Sequence, residues 1–171
     1  MNAIVAVNSD WGIGLGGTQT IIIPEDRRYF RELTEGGVVI CGRKTFEDFC
    51  KPLPNRRNII LTRNRDFRVS EVEETHPVSD VVVAYSVSEV LAGVADDDPD
   101  KVFIIGGESI YRQFLHLCSR AYVTKIEAAP ESDAFFPNLD AMPGWSLKQR
   151  GETLESAGIR YSFLVYKKQQ P

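Results

Sequence analysis

The sequence predicts an α/β fold on a largely parallel sheet. Short β-branched runs alternate with helical stretches along the chain, and the runs at Val38–Cys41 and Val102–Ile105 are apolar throughout, as strands covered on both faces are. The last two extended runs, Trp145–Glu152 and Ile159–Lys167, follow one another as an antiparallel hairpin that closes the sheet. The 171 residues suit one domain of ordinary size, and 43% hydrophobic with 26% charged residues is a globular balance that can bury a core without disulfides or structural metal.

Ala3–Val7 reads as the first strand. Residues 8–23 form a long segment carrying Gly12, Gly14, Gly16 and Gly17, and a connection of that length usually serves function. Pro24-Glu25-Asp26 opens a helix to about Thr34, because Pro suits the first turn and acids there complement the dipole. Gly36-Gly37 ends it. Val38–Cys41 is a second strand, followed by Gly42-Arg43-Lys44-Thr45 and a short helix through Phe49. Pro52-Leu53-Pro54-Asn55 is a turn and Asn58–Leu61 a strand. Residues 63–80 are polar and irregular. Val81–Tyr85 is a strand and Val87–Ala95 a helix. Asp96-Asp97-Asp98-Pro99-Asp100 reads as a solvated acidic turn, since it lacks the glycine and distal glutamate of a calcium loop. After Val102–Ile105, Gly106-Gly107 leads into a helix from about Ser109 to Leu117, and Tyr122–Ile126 is the next strand.

Composition excludes several classes. No apolar run approaches the roughly 20 residues of a membrane span. The N-terminus runs straight into a strand with no basic region or cleavage-site pattern, so no signal peptide is expected and the cytosol is. Three cysteines without a Cys-x-x-Cys indicate neither a disulfide framework nor zinc, and Cys41 reads as an inert core thiol. Two histidines, His76 and His116, argue against a histidine-centred triad or a multi-histidine metal site. A net charge of −4 argues against nucleic acid as the main partner.

Three strand-to-helix junctions could hold a dinucleotide. Gly42-Arg43-Lys44-Thr45 sets two cations and a hydroxyl at a helix N-terminus, where free N–H groups attract phosphate. Leu61-Thr62-Arg63 adds a cation and a hydroxyl at the end of a parallel strand, where ligands dock on open α/β sheets. Gly106-Gly107-Glu108-Ser109 lets backbone approach a ligand closely. Each alone also reads as a tight turn or a solvated cap; together they favour a nucleotide. Arg43, Lys44 and Arg63 exceed what a pyrophosphate needs, which suggests a 2′-phosphate and hence NADPH. The first strand lacks Gly-x-Gly-x-x-Gly, so this is not a standard Rossmann site. Asp26 shares a helix stripe with Phe30 and Leu33. It can be a first-turn acid facing the dipole, or a carboxylate in an apolar cleft. Burial there requires a partner, such as an aminopyrimidine edge donating two N–H bonds.

With these residues in hand, the chain resembles the dihydrofolate reductase family. The resemblance runs through Ile4-Val5-Ala6-Val7, Ile13-Gly14, Ile23-Pro24-Glu25-Asp26, Phe30, Val38–Thr45, Pro52-Leu53-Pro54-Asn55-Arg56 and Asn58–Arg63. It continues through Ile104-Ile105-Gly106-Gly107, Ser109, Tyr111, Tyr122–Thr124 and Asp133–Pro137, covering nearly the whole chain in order.

The resemblance implies a mixed, mostly parallel eight-stranded sheet flanked by about four helices, with an antiparallel C-terminal strand, in one domain over residues 1–171. It implies NADPH-dependent reduction of 7,8-dihydrofolate to tetrahydrofolate, by hydride transfer to C6 and protonation at N5. It makes antifolates expected ligands and a cytoplasmic monomer the expected form. On this analogy Asp26 holds the pterin amidine edge and Thr124 supports it. Ile4, Val5, Ala6 and Ile105 line the ring pocket, Phe30, Phe49 and Leu53 flank the aminobenzoyl ring, and Arg56 binds the substrate's α-carboxylate. The cofactor is expected against Ala6, Ile13, Gly14, Gly42, Arg43, Lys44, Thr45, Leu61, Thr62 and Arg63, and against Ile105, Gly106, Gly107, Glu108, Ser109, Ile110 and Tyr111. The Gly106–Gly107 peptide is cis in the family, and Asp133 resembles an acid that helps close the loop after the first strand.

The chain departs from the family in two places. Ile21 or Ile22 stands where a Trp that orders water near the pterin is usual, and Arg27 stands at a usually apolar position facing the aryl ring. Arg27 could reach the substrate's glutamate or turn to solvent. Two rivals stay open on sequence alone: another NADPH-dependent pterin or aminouracil reductase on this fold, and a non-catalytic binder that retains it.

Overall fold

The computed structural model describes residues 1–69 and 80–169. Its strands in chain order are β1 (Asn2–Val7), β2 (Gly12–Gly14), β3 (Val38–Gly42), β4 (Arg57–Leu61), β5 (Asp80–Ala84), β6 (Val102–Gly106), β7 (Arg120–Ile126), β8 (Ala134–Phe135), β9 (Trp145–Arg150), β10 (Leu154–Ser156) and β11 (Ile159–Lys168). The helices are α1 (Pro24–Thr34), α2 (Arg43–Phe49), α3 (Val87–Gly93) and α4 (Glu108–Phe114). The main sheet runs β10-β11-β7-β1-β6-β3-β4-β5, with β9 also paired to β11. Every pair from β7 to β5 is parallel; β11 is antiparallel to β7, β9 and β10. The architecture is thus the mixed, mostly parallel sheet with an antiparallel C-terminal strand that the sequence led us to expect.

Alternation along the central strands sends side chains to two cores. Ala3, Val5, Val7, Ile40 and Ile104 enter one with Phe114 and Leu164. Ile4, Val39, Cys41, Phe103 and Ile105 enter the other, against Phe30 and Leu33 of α1. Strands covered on both faces need this continuous apolar run. Burial pushes the thiols of Cys41 and Cys118 up to about 12, which makes both inert at neutral pH.

Local chemistry sets most element ends. The first turn of α1 carries Pro24 with Glu25 and Asp26, and the Gly36 φ of 71° lets the chain leave after Thr34. For α3, Ser86 Oγ accepts from Glu89 N at 3.1 Å while Glu89 Oε2 accepts from Tyr85 N at 2.7 Å, a reciprocal cap.

Four sequence expectations need correction. The helix expected to reach Leu117 stops at Phe114 and tightens into a 3-10 turn over Leu115–Leu117. The helix expected to reach Ala95 ends at Gly93. The closing hairpin is interrupted: β9 ends at Arg150, residues 151–153 leave the strand, and β10 makes its own tight turn to β11 through Ala157 and Gly158, both at positive φ. A register shift between Val165 and Tyr166 accompanies the break. The acidic turn is not simply solvated: Asp97 pairs with Arg57, Asp100 Oδ1 accepts from Arg120 at 3.1 Å, and Asp98 Oδ1 caps Asp100 N. The polar stretch 63–80 falls largely outside the described residues, as does His76.

Candidate active site

A cleft of about 1780 Å³ opens over the carboxyl ends of β1, β3, β4 and β6. Of the residues predicted for substrate or cofactor, all but Thr124 line it, from Ile4, Val5 and Ala6 at its base to Tyr111 on α4. Thr124 lies behind the wall on β7, 1% exposed, and its hydroxyl donates to Asp26 Oδ1 at 2.6 Å. α1 starts at Pro24, so Asp26 falls in the first turn and is aimed across the cleft base toward β7 rather than along the helix.

Asp26 is half-buried. Burial raises its proton affinity above the ordinary aspartate value, while the Thr124 hydroxyl and the nearby Arg27 charge pull it back. Burial prevails, so the carboxyl is poised for a cationic or N–H-donating partner. Glu25, next to it, is not freely solvated. It is half-buried, with Oε2 out of contact with water, and its backbone N–H, then Ser156, hold its carboxyl below the usual range.

At the other end of α1, Arg56 is 6% exposed and its guanidinium lies 5.9 Å from the Phe30 ring centroid. Its buried Nε has no hydrogen-bond partner. Burial lowers its proton affinity, with Glu35 opposing and Arg31 adding to the effect. A buried guanidinium whose Nε lacks a partner, at the cleft edge, asks for an anion.

The opposite arm is a glycine cradle. The Gly106–Gly107 peptide is cis, and Gly106 has φ 115°. A Cβ there would meet the Tyr111 ring at 3.1 Å, and one on Gly42 would meet Ile110 Cγ1 at 3.1 Å. The buried Tyr111 hydroxyl donates to Ile4 O at 2.8 Å and ties α4 to β1. Arg43 pairs with Glu47 at 2.7 Å, whereas Lys44 and Arg63 are exposed and form no ion pair among the described residues. Close backbone with free cations at two strand ends fits a phosphate-rich cofactor such as NADPH.

The long connection after β1 is not without structure. β2 pairs with β8, an element that the sequence reading missed because two- and three-residue strands carry no periodicity. Asp133 Oδ2 accepts from Gly16 N at 2.9 Å, so this acid does bond the loop. Asn8 Nδ2 bonds Thr20 and Ser132, and Lys125 donates to Ser9 O while lying 4.0 Å from the Trp11 ring centroid. Gly17, Thr18 and Gln19 also line the cleft; loop length was the only sequence signal for them. Of the two isoleucines in the place of a Trp, Ile22 faces the cleft at 52% exposure, while Ile21 packs on Ile23, Ile126 and Tyr161. Arg27 lines the cleft and is exposed.

A family model described as "Dihydrofolate reductase" matches residues 1–168. The dihydrofolate reductase of Bacillus subtilis (strain 168) is 32% identical over 167 residues, 96% of this chain and 92% of its own length. That of Neisseria meningitidis serogroup B (strain ATCC BAA-335 / MC58) is 36% identical over 165 residues, 95% of this chain and 94% of its own. Among solved structures, dihydrofolate reductase from Enterococcus faecalis, complexed with NADP(H) and RAB-propyl, superposes with a TM-score of 0.84 at 29% identity, covering 99% of this chain and 96% of that one.

Proposed function

Since this chain belongs to the dihydrofolate reductase family and is an NADPH-dependent oxidoreductase acting on 7,8-dihydrofolate, we propose the following roles for its residues. Asp26 holds the amidine edge of the pterin with both carboxylate oxygens, and Thr124 orients it. The 2.6 Å hydrogen bond joining them at the base of the cleft is the observation that carries this reading. A carboxylate facing the ring from a low-dielectric wall raises the proton affinity of the reacting nitrogen, N5. Bound NADPH supplies the hydride that C6 receives. Ile4, Val5, Ala6 and Ile105 exclude water around the ring, and Ile22 covers it from the loop side. Phe30, Phe49 and Leu53 flank the aminobenzoyl group, and Arg56 forks to the α-carboxylate of the glutamate. Arg27 reaches toward the same tail from the helix face above.

Along the other arm, Gly42–Thr45, Leu61–Arg63 and Ile105–Tyr111 hold the dinucleotide, with Ile13, Gly14 and Ala6 toward the nicotinamide. Lys44 and Arg63 take the 2′-phosphate. Asp133 keeps the loop after β1 folded over the site through Gly16. We read the chain as a single domain over residues 1–171, a cytoplasmic monomer with no nucleic-acid or membrane partner, in keeping with its net charge of −4. No described helix is long and apolar enough to cross a membrane.

The test follows NADPH oxidation by absorbance with dihydrofolate, for the parent and for Asp26→Asn. The variant keeps its NADPH affinity and loses most of its turnover. Full turnover at neutral pH in Asp26→Asn would overturn the role assigned to this carboxyl.

A further inference from the structure

Glu108 opens α4 just after the cis Gly106–Gly107 peptide and lines the cleft, at the strand end assigned above to the cofactor. A carboxylate here suits the helix dipole but repels a phosphate. Its two oxygens have separate partners. Arg112, one turn along α4, donates from Nε at 2.9 Å and from Nη2 at 2.7 Å, both to Oε1. That leaves Oε2 to accept from Phe135 N at 3.3 Å, 27 residues further along the chain.

Phe135 belongs to β8, which is laced to the connection after β1. β8 pairs with β2, Phe136 N donates to Trp11 O at 2.9 Å, Asp133 N donates to Gly14 O at 3.0 Å, and Asp133 Oδ2 accepts from Gly16 N. The same connection brings Ile13, Gly14, Gln19 and Ile22 to the cleft. Glu108 therefore joins the helix of the cofactor arm to the loop that covers the substrate ring. Beside this polar contact the Tyr111 ring of α4 meets Phe136 edge-on at 4.7 Å.

Neither the dipole nor surface pairing accounts for this arrangement. A first-turn acid serves the dipole wherever it points, and a Glu–Arg pair at i and i+4 is a common helix feature worth little. Neither places the second oxygen on a backbone N–H of another element. Arg112 also lines the cleft, so it fixes the direction of the carboxylate and offsets its charge toward an incoming phosphate.

We propose that Glu108 is a positioning residue for hydride transfer. It fastens β8, and through β8 the loop after β1, to the helix against which the cofactor lies, and Arg112 neutralises the charge that this fastening introduces. This rests on the cofactor phosphates lying against α4. A loop held in place keeps water from the reacting rings, so losing the fastening slows the chemical step rather than cofactor binding.

The experiment measures the Kd for NADPH without substrate, and the single-turnover rate of hydride transfer to dihydrofolate at saturating NADPH. The proteins are the parent, Glu108→Gln, Glu108→Ala and Arg112→Gln, with thermal unfolding midpoints to verify that each is folded. Gln keeps an oxygen for the Phe135 N–H and drops the charge; Ala drops both. At low salt Glu108→Gln binds NADPH about 3-fold tighter than the parent and Arg112→Gln about 3-fold weaker, and both shifts shrink at roughly 0.5 M salt. Hydride transfer is about 5-fold slower in Glu108→Ala than in Glu108→Gln, the size of one hydrogen bond. Equal transfer rates in the two Glu108 variants, with NADPH affinity shifted as expected, overturn the fastening and leave the cofactor's place against α4 standing. An NADPH affinity unmoved in both charge variants takes the phosphates away from this helix end, and with them the reading on which the proposal rests.

Discussion

Along the proposed cofactor arm, Gly42–Thr45, Leu61–Arg63 and Ile105–Tyr111 each arrive as one contiguous strand end. The proposed folate arm instead joins residues from separate elements: Asp26 of α1 to Thr124 of β7, and Arg56 to the Phe30 ring. The first arm needs only backbone and helix termini, which any correctly registered parallel sheet presents at its carboxyl edge. The second depends on two side chains 98 residues apart meeting at 2.6 Å, and on a guanidinium buried without a partner for its Nε. Chemistry that rests on one coupled pair is fragile, whereas phosphate binding spread over many N–H groups and cations is tolerant. Single substitutions of Asp26, Thr124 or Arg56 should therefore have large effects, non-additive within the Asp26–Thr124 pair, and those in the cofactor arm small ones.

The strongest break of this contrast is Asp26→Asn. Turnover with dihydrofolate falls by about 10²-fold or more. Stability moves the other way. Burial raises the proton affinity of Asp26 in the folded state, so between the ordinary aspartate value and the raised one the folded chain holds more protons than the unfolded chain. Ionised Asp26 thus opposes folding, and its contribution becomes less favourable as pH rises through that window. Asp26→Asn removes the opposition, and its thermal midpoint at neutral pH lies above that of the parent. A lower midpoint would mean that the carboxylate is a structural support.

Arg56→Gln comes next. Losing a charged fork costs about 1.5–3 kcal/mol, so KM for dihydrofolate rises on the order of 10–100-fold with kcat less affected. A fall in kcat with KM constant would point to a role in the transition state instead. Thr124→Val lowers kcat/KM by roughly 10-fold, the size of one hydrogen bond to a charged group. In the Asp26→Asn background the same change has little further effect, and full additivity would show that the two residues do not act as a unit. Smallest is Arg27→Leu, which changes the dissociation constants of folate and antifolate by a few-fold, as expected of an exposed charge. A change under about twofold would mean that Arg27 faces solvent when ligand is bound.

The same division separates what was legible in the sequence from what was not. α1 spans the predicted residues because Pro24, its first-turn acids and Gly36-Gly37 punctuate it within a few positions. The three strand-end junctions were legible for the same reason, and all of them line one cleft. Asp26 lies on an apolar stripe, but spacing alone does not separate a dipole-facing acid from a carboxyl aimed into a cleft. The family resemblance implies the second.

Turn residues, caps and two-sided apolar strands act over a few residues, so the order of elements, the parallel core and the phosphate-like junctions were set by the amino-acid sequence read alone. Folding in three dimensions settled the rest: the β2–β8 pairing, the break after Arg150, Ile22 rather than Ile21 on the cleft, and the direct contact of Asp26 with Thr124. Each of these depends on which distant groups exclude water together, and burial and long-range hydrogen bonds have no period along a chain.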